Sequence, residues 1–234
     1  MTHPDYRGLG LFVTLAEKTY NAMAEAGSAL VWGFPNANSH RGFVRDLQWV
    51  DVYEIPFFRK PLANSSPLSA PTGAIVELKR VDDRFDGLWD RVKQDYNVIV
   101  KRDRRYLQWR YMDNPSERYR LLAYLDGENV SGYAVFKHYK DEFQIVDMLT
   151  GQDAEIGMQL ISQTAQIAAG ESADTLSMWL SVTHPLHREL ERYGFANSEP
   201  ITYFGMRALT PGIPEAHIYN YRNWYVTMGD SDVF

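Results

Sequence analysis

Thr2-His3-Pro4-Asp5-Tyr6-Arg7-Gly8-Leu9-Gly10-Leu11-Phe12 is a glycine-rich turn that runs directly into an amphipathic stretch. Gly8 and Gly10 can take backbone angles closed to other residues and let a ligand approach the main chain. A helix starting there leaves its first N–H groups unpaired. Those donors, the positive end of the helix dipole and Arg7 together suit a phosphate or pyrophosphate. A lone Gly-x-Gly also serves as a plain loop-to-helix junction, so the elements downstream decide between the two.

Leu11, Leu15, Ala16, Tyr20, Met23 and Ala24 recur at helical spacing against Glu17, Lys18, Asn21 and Glu25, with Gly27 placed to end the helix. The spacing predicts a helix over 11–26. Residues 29–34 form a short continuous apolar run closed by Pro35 and Asn36, which predicts a buried parallel strand after a crossover helix. Ser39 can cap a second, shorter helix through Leu47, and partial alternation from Trp49 to Phe58 predicts another strand.

Pro61 to Thr72, rich in Pro, Ser and Ala, reads as a linker between residues 1–60 and 73–234. Beyond it the pattern predicts a strand over 74–78 and helices over 85–94 and 101–112. Antiparallel strands follow over 119–125, 130–138 and 143–149, then a helix over 153–169, a strand over 176–182, a helix over 186–193 and a strand over 201–208. Trp32 and Trp179 stand in comparable strands, each after a long helix. Trp49 lies 17 residues past Trp32, and Phe195 lies 16 past Trp179. Matched order and spacing point to an internal duplication. The fold class expected is α/β (α+β), a mixed sheet flanked by helices.

At 234 residues, 45% hydrophobic and 14% aromatic, the chain can bury one large core or two modest ones. A net charge of −6 argues against a broad nucleic-acid-binding surface, so no nucleic-acid partner is expected. There are no cysteines, which excludes disulfides, thiolate catalysis and Cys-ligated zinc and fits a reducing cytoplasm. No apolar run approaches the ~20 residues of a membrane helix, and no signal-peptide pattern opens the chain, so no membrane partner is expected and the reading is cytoplasmic.

Pro-x-Tyr-Arg-Gly-x-Gly, a long helix, a strand, an Asn-containing turn and a short helix ending in Leu-x-aromatic together resemble the GNAT superfamily, the Gcn5-related N-acetyltransferases. The resemblance implies that Arg7, Gly8, Leu9, Gly10, Leu11 and Phe12 wrap the pyrophosphate of acetyl-CoA, the implied co-substrate. It places Thr2 and His3 on a strand beside the thioester, and Asn36 or Asn38 at the splayed end of the next strand, beside the cofactor arm. It covers nearly the whole chain as a tandem pair. The first copy has the motif without the strands that precede it in the family. The second, 73–234, has the full order of elements but reads Gly151-Gln152-Asp153-Ala154-Glu155-Ile156-Gly157 where the motif belongs. Its two added carboxylates would repel pyrophosphate. A truncated first copy is the favoured explanation of a motif beginning at residue 2.

Two further departures stand out: Phe12 replaces the motif's closing small residue, and Val44 occupies the place, five residues before Trp49, that often holds a general-acid tyrosine. The implied reaction is acyl transfer from CoA to an amine of a small molecule or peptide, which needs no metal. The alternative is a catalytically silent member of the fold serving as a binding or scaffold module. A nucleotide or phosphate-ester enzyme is disfavoured because the chain lacks a P-loop Lys-Ser/Thr. His3, His40 and Glu54 are the nearby candidate bases, none assigned. His184 and His187, flanking Pro185, fit a helix start better than a zinc site. The basic and aromatic run Lys101, Arg102, Arg104, Arg105, Tyr106, Trp109, Arg110 and Tyr111 reads as a solvated helix face with its aromatics in the core. The tail from Gly229 to Phe234 is expected to fray, with Asp230 or Asp232 as a second reading for contact with an acceptor amine. An exposed strand edge at 29–34 allows a homodimer.

Overall fold

The structure, a computed structural model, describes residues 3–6, 8–63, 73–116, 118–200, 202–232 and 234. In chain order its regular elements begin with α1 (Leu11–Glu25), β1 (Leu30–Gly33), α2 (Ala37–Arg41), β2 (Val50–Glu54), β3 (Phe57–Pro61) and β4 (Ala74–Leu78). Then come α3 (Arg84–Val92), β5 (Val98–Ile99), α4 (Arg104–Leu107), β6 (Arg120–Asp126), β7 (Asn129–Tyr139), β8 (Glu142–Leu149) and α5 (Ala154–Gly170). The last are β9 (Thr175–Trp179), α6 (His187–Arg192), β10 (Ala196–Ser198), β11 (Tyr203–Ala208), α7 (Glu215–Ile218) and β12 (Trp224–Tyr225). Contacts divide the chain into one unit of 1–55 with 200–223 and another of 56–199 with 224–234. Residues 56–60 and 200–223 therefore group with the opposite half of the chain from the contiguous division 1–60 and 73–234.

The first unit is a three-stranded sheet in the order β1-β11-β2, both pairs antiparallel. The expected buried parallel strand at 29–34 is thus a half-buried strand with antiparallel β11 as its neighbour. A continuous apolar run could not distinguish the two directions, because its partner is about 170 residues away in sequence. Gly33 and Gly205 face one another across β1 and β11, and a side chain at either would press on the Trp49 ring. Their bareness lets that indole lie on the sheet. Trp49 donates to the Tyr20 hydroxyl at 3.1 Å, and Leu47, Tyr20 and Trp49 form the small core with Val13, Ala16, Met23 and Phe43 against them. α1 accordingly turns Val13, Ala16, Tyr20 and Met23 inward. Leu11 and Leu15, read from spacing as part of that stripe, are exposed.

The second unit is a seven-stranded mixed sheet in the order β10-β3-β9-β8-β7-β6-β4. All its pairs are antiparallel except β8 with β9. The β6–β7 hairpin turns at Gly127, φ 59°, a left-handed position that glycine takes without cost. α5 packs Leu160, Ile161, Ala165 and Ala168 onto a core with Phe58, Phe136, Phe143, Leu176 and Met178. The Trp49–Phe58 run, expected as one strand, breaks at Ile55 and Pro56 into β2 and β3, which join different sheets. Pro61, placed in the linker from sequence, closes β3, and Leu62 is buried with its N–H on the Asp174 carbonyl. Residues 64–72 lie outside the described residues.

Caps account for two further differences. Asn36, not Ser39, caps α2, accepting from the Asn38 and Ser39 N–H groups at 3.0 and 3.2 Å. Asp103 accepts from the Tyr106 N–H at 2.8 Å, so α4 starts at Arg104 rather than at 101. No described helix is long and apolar enough to cross a membrane.

Gly132 tests the seating of α5 on the sheet. A Cβ there would stand 2.7 Å from Ile156 Cγ2 and 2.9 Å from Thr150 Cγ2. Gly132→Ala should lower the unfolding free energy by about 1–3 kcal/mol in a urea titration.

Candidate functional site

Gly8 and Gly10 have φ of 79° and 68°, and a Cβ on either would meet nothing within 4 Å. Glycine is needed there for backbone angle, and among the described residues nothing stands over the turn. Gly10 is the N-cap of α1 with no side-chain cap, the Thr14 N–H bonds back to the Gly10 carbonyl, and the first turn carries no acidic residue. The N–H groups ahead of Thr14 and the positive end of a 15-residue helix therefore face outward at the glycine turn. Phe12 follows the turn. Its ring meets Phe43 edge-on at 5.2 Å and lies against Gly42, where a Cβ would stand 3.1 Å from Phe12 Cε1. Leu9 is exposed.

Thr2 and Arg7, two of the residues singled out from sequence, lie outside the described residues. His3 is exposed and precedes a single 3₁₀ turn, Pro4–Tyr6, rather than lying on a strand. Its Nδ1 is 3.6 Å from the Asp5 carboxylate. Asn36 and Asn38 sit together at the start of α2, both exposed, with the Asn36 carbonyl oxygen committed to the cap. His40, one of three candidate bases, is the one with a built setting. Its Nε2 lies 2.8 Å from both carboxylate oxygens of Asp51, and its ring stacks on Tyr203 at 3.9 Å. Spacing could not have found Asp51, because α2 and β2 meet only in the fold. Glu54 is exposed on β2.

The start of α5 in the second unit is built differently. Asp153 caps α5 through its side chain, accepting from the Ile156 N–H at 3.1 Å, and Glu155 adds a carboxylate to the first turn. Gly151, φ 59°, is crowded: a Cβ there would stand 2.7 Å from Asp95 Oδ2. That helix end already holds its anion.

In the basic and aromatic run Lys101, Arg104 and Arg105 are exposed and Tyr111 is buried, as expected, and two residues depart from that pattern. Arg102 is buried, while Trp109 is 66% exposed beside Arg105. The cause is charge pairing. Arg102 Nε meets Asp147 Oδ1 at 3.0 Å and its Nη2 meets Asp230 Oδ2 at 2.7 Å. The tail expected to fray is accordingly packed, and the Asp230 side chain is fully buried rather than open to an acceptor. Burial raises the Asp230 carboxyl and, more strongly, the Tyr111 hydroxyl. Asp147 takes four donors, from Arg102 Nε, the Tyr133 and Thr227 hydroxyls and the Met148 N–H.

No family model and no curated protein matches the sequence. Solved structures do. A Gcn5-related N-acetyltransferase from Anabaena variabilis is similar over 88% of this chain and 53% of that one, at 16% identity and TM-score 0.68. A Gcn5-related N-acetyltransferase from Kribbella flavida is similar over 89% and 50%, at 16% identity and TM-score 0.63. A tandem GNAT protein from the clavulanic acid biosynthesis pathway is similar over 91% and 74%, at 11% identity and TM-score 0.58. The chain thus spans about half the length of the first two. Its fold is that of the Gcn5-related N-acetyltransferases.

Among the described residues no cluster of three or more His, Cys, Asp or Glu side chains is arranged to hold a metal ion. His184 does have another consequence. Burial lowers its pKa from 6.5 to about 4, while its Nδ1 accepts from the Leu186 N–H at 3.2 Å. A depressed histidine contributes stability in full above pH 6.5 and loses it as pH falls toward 4. Thermal melts should therefore fall across that window, and His184→Gln should flatten that part of the profile.

Proposed function

We propose that this chain is an acyl-CoA-dependent N-acyltransferase that moves an acetyl group from acetyl-CoA to an amine of a small molecule or peptide. The observation that carries this is the start of α1, where two left-handed glycines open on free space before a helix with no side-chain cap. Arg7 adds a charge suited to pyrophosphate, and the residues read as wrapping it are Arg7 to Phe12, with Asn36 and Asn38 beside the arm. In the reaction the neutral amine attacks the thioester carbonyl, the C–S bond breaks, and the thiolate leaves and takes up a proton. His40 is the group best set to receive the amine's proton, since Asp51 holds Nε2 and leaves Nδ1 for exchange. The absence of cysteine fits a cytoplasmic setting.

The tandem reading belongs to this proposal. Gln48 and Gly194 sit at matching places, each between a short helix and the residue that leads on toward the next strand. Both are left-handed, at φ 56° and 96°. β3 follows β2 in the first half and sits between β9 and β10. β11 follows β10 in the second half and sits between β1 and β2. Two related halves that exchange their last strands account for that pattern. β1 is an edge among the described strands, and a second copy of the chain could pair there.

The silent-scaffold alternative draws on Val44, an exposed aliphatic side chain on the turn after α2 where the family often carries its acid. Titration calorimetry with acetyl-CoA and with CoA separates the readings. Binding is expected, and Arg7→Glu with Gly8→Asp should weaken it at least tenfold; unchanged affinity in that variant would place the cofactor elsewhere. His40→Gln should keep the affinity and lower the turnover of an amine substrate by about 100-fold.

A further inference from the structure

In the second unit, β8 and β9 pair in parallel only from Glu142 with Thr175 to Ile145 with Met178, while β8 runs on to Leu149. Beyond Ile145 the two strands part, and Val146 to Leu149 have no β9 partner. Chain fills that opening. The Tyr225 hydroxyl donates to the Met148 carbonyl, and the Thr227 hydroxyl donates to Asp147 Oδ1 at 3.1 Å. Gly229 lies against the Val146 carbonyl, and the Phe234 ring meets Trp179, the last residue of β9, edge-on at 5.0 Å. Arg110 fastens the far end through the carbonyls of Gly229, Ser231 and Phe234 at 3.3, 3.1 and 2.8 Å. β12 pairs with β5 at the near end.

We infer that residues 224–232 and Phe234 are a built-in occupant of the gap between β8 and β9, and that the second unit has thereby lost the place where an acyl-CoA arm would enter. Resting on the proposed acyl-CoA reading, this makes the glycine turn at Gly8 and Gly10 the one cofactor site among the described residues. Three features of the plug point the same way. Its charge is paired in place: Arg102 sits between Asp147 and Asp230 with all three side chains fully buried. Removing one of them would strand a buried charge, so the plug is costly to withdraw. Its closest approach needs glycine for space rather than angle, since any side chain on Gly229 would collide with the Tyr111 hydroxyl. And the helix start beside it, at Asp153, carries its own carboxylate cap in place of open N–H groups.

Amide hydrogen exchange on the whole chain tests the plug without any ligand. Amides over 225–231 should exchange as slowly as those of Val146 to Leu149, within about tenfold, as expected for parts of one cooperative unit. Exchange at the rate of a free peptide over 225–231, with β8 still protected, would overturn the inference. Gly229→Ala should strip that protection and lower the melting temperature, and adding Tyr111→Phe should restore much of both, because it removes the atom the new methyl strikes. Gly229→Ala without effect, or without rescue, would also count against it. Calorimetry then reads the consequence. One acetyl-CoA per chain is expected, and two would overturn the single-site conclusion. No binding would remove the acyl-CoA reading while the exchange data still decide whether the gap is plugged.

Discussion

Backbone hydrogen bonding by two strands, β3 and β11, is the constraint on which the rest of this structure depends. Each pairs with neighbours that lie far off in sequence: β3 between β9 and β10, β11 between β1 and β2. A strand inside a sheet satisfies its N–H and C=O groups on both sides, and taking it away exposes two rows of them. β1 and β2 are not paired with each other, so without β11 the first unit has no sheet. The glycine turn and α1 depend on that sheet, because the core beneath α1 is Trp49 lying over Gly33 and Gly205.

The second unit places a comparable demand on charge. Arg102, Asp147 and Asp230 meet where β8 and β9 diverge, with the Thr227 hydroxyl within 3.1 Å of both Arg102 Nη2 and Asp147 Oδ1. One guanidinium faces two carboxylates in a site without solvent, so the arrangement persists only with its hydrogen bonds intact. Asp147 has four of them, whereas Asp230 Oδ1 has no partner among the described residues, which agrees with burial raising the Asp230 carboxyl. The helix start at Gly10 in one unit has no side-chain cap, whereas Asp153 caps α5 in the other.

Much of this was legible in the residues. Gly27, Gly127 and Asp113 mark element ends, and the β6–β7 hairpin and α5 follow their sequence patterns to within a residue or two. The glycine turn before α1 was legible as well, since left-handed backbone and an uncapped helix start are local properties. The exposed and buried members of 101–112 were not. Helical spacing placed Trp109 with the aromatics of the core and Arg102 with solvent, but the partners of Arg102 are 45 and 128 residues away. His40 was legible as a candidate and Asp51 as its partner was not, for the same reason.

The sequence by itself determined the position of α1, α5 and the β6–β7 hairpin, which turn has left-handed glycines ahead of a helix, and which helix start carries carboxylates. These follow from dihedral preference, capping and periodicity, which act within a few residues. Only the tertiary structure decided strand direction, strand partners and the burial of charge. Trp49 to Phe58 read as one strand, yet it became β2 at the edge of one sheet and β3 inside another. The tail reads as a polar end and became part of the interior. Such outcomes depend on which distant segment satisfies a free strand edge or a desolvated charge, and no local spacing encodes that choice.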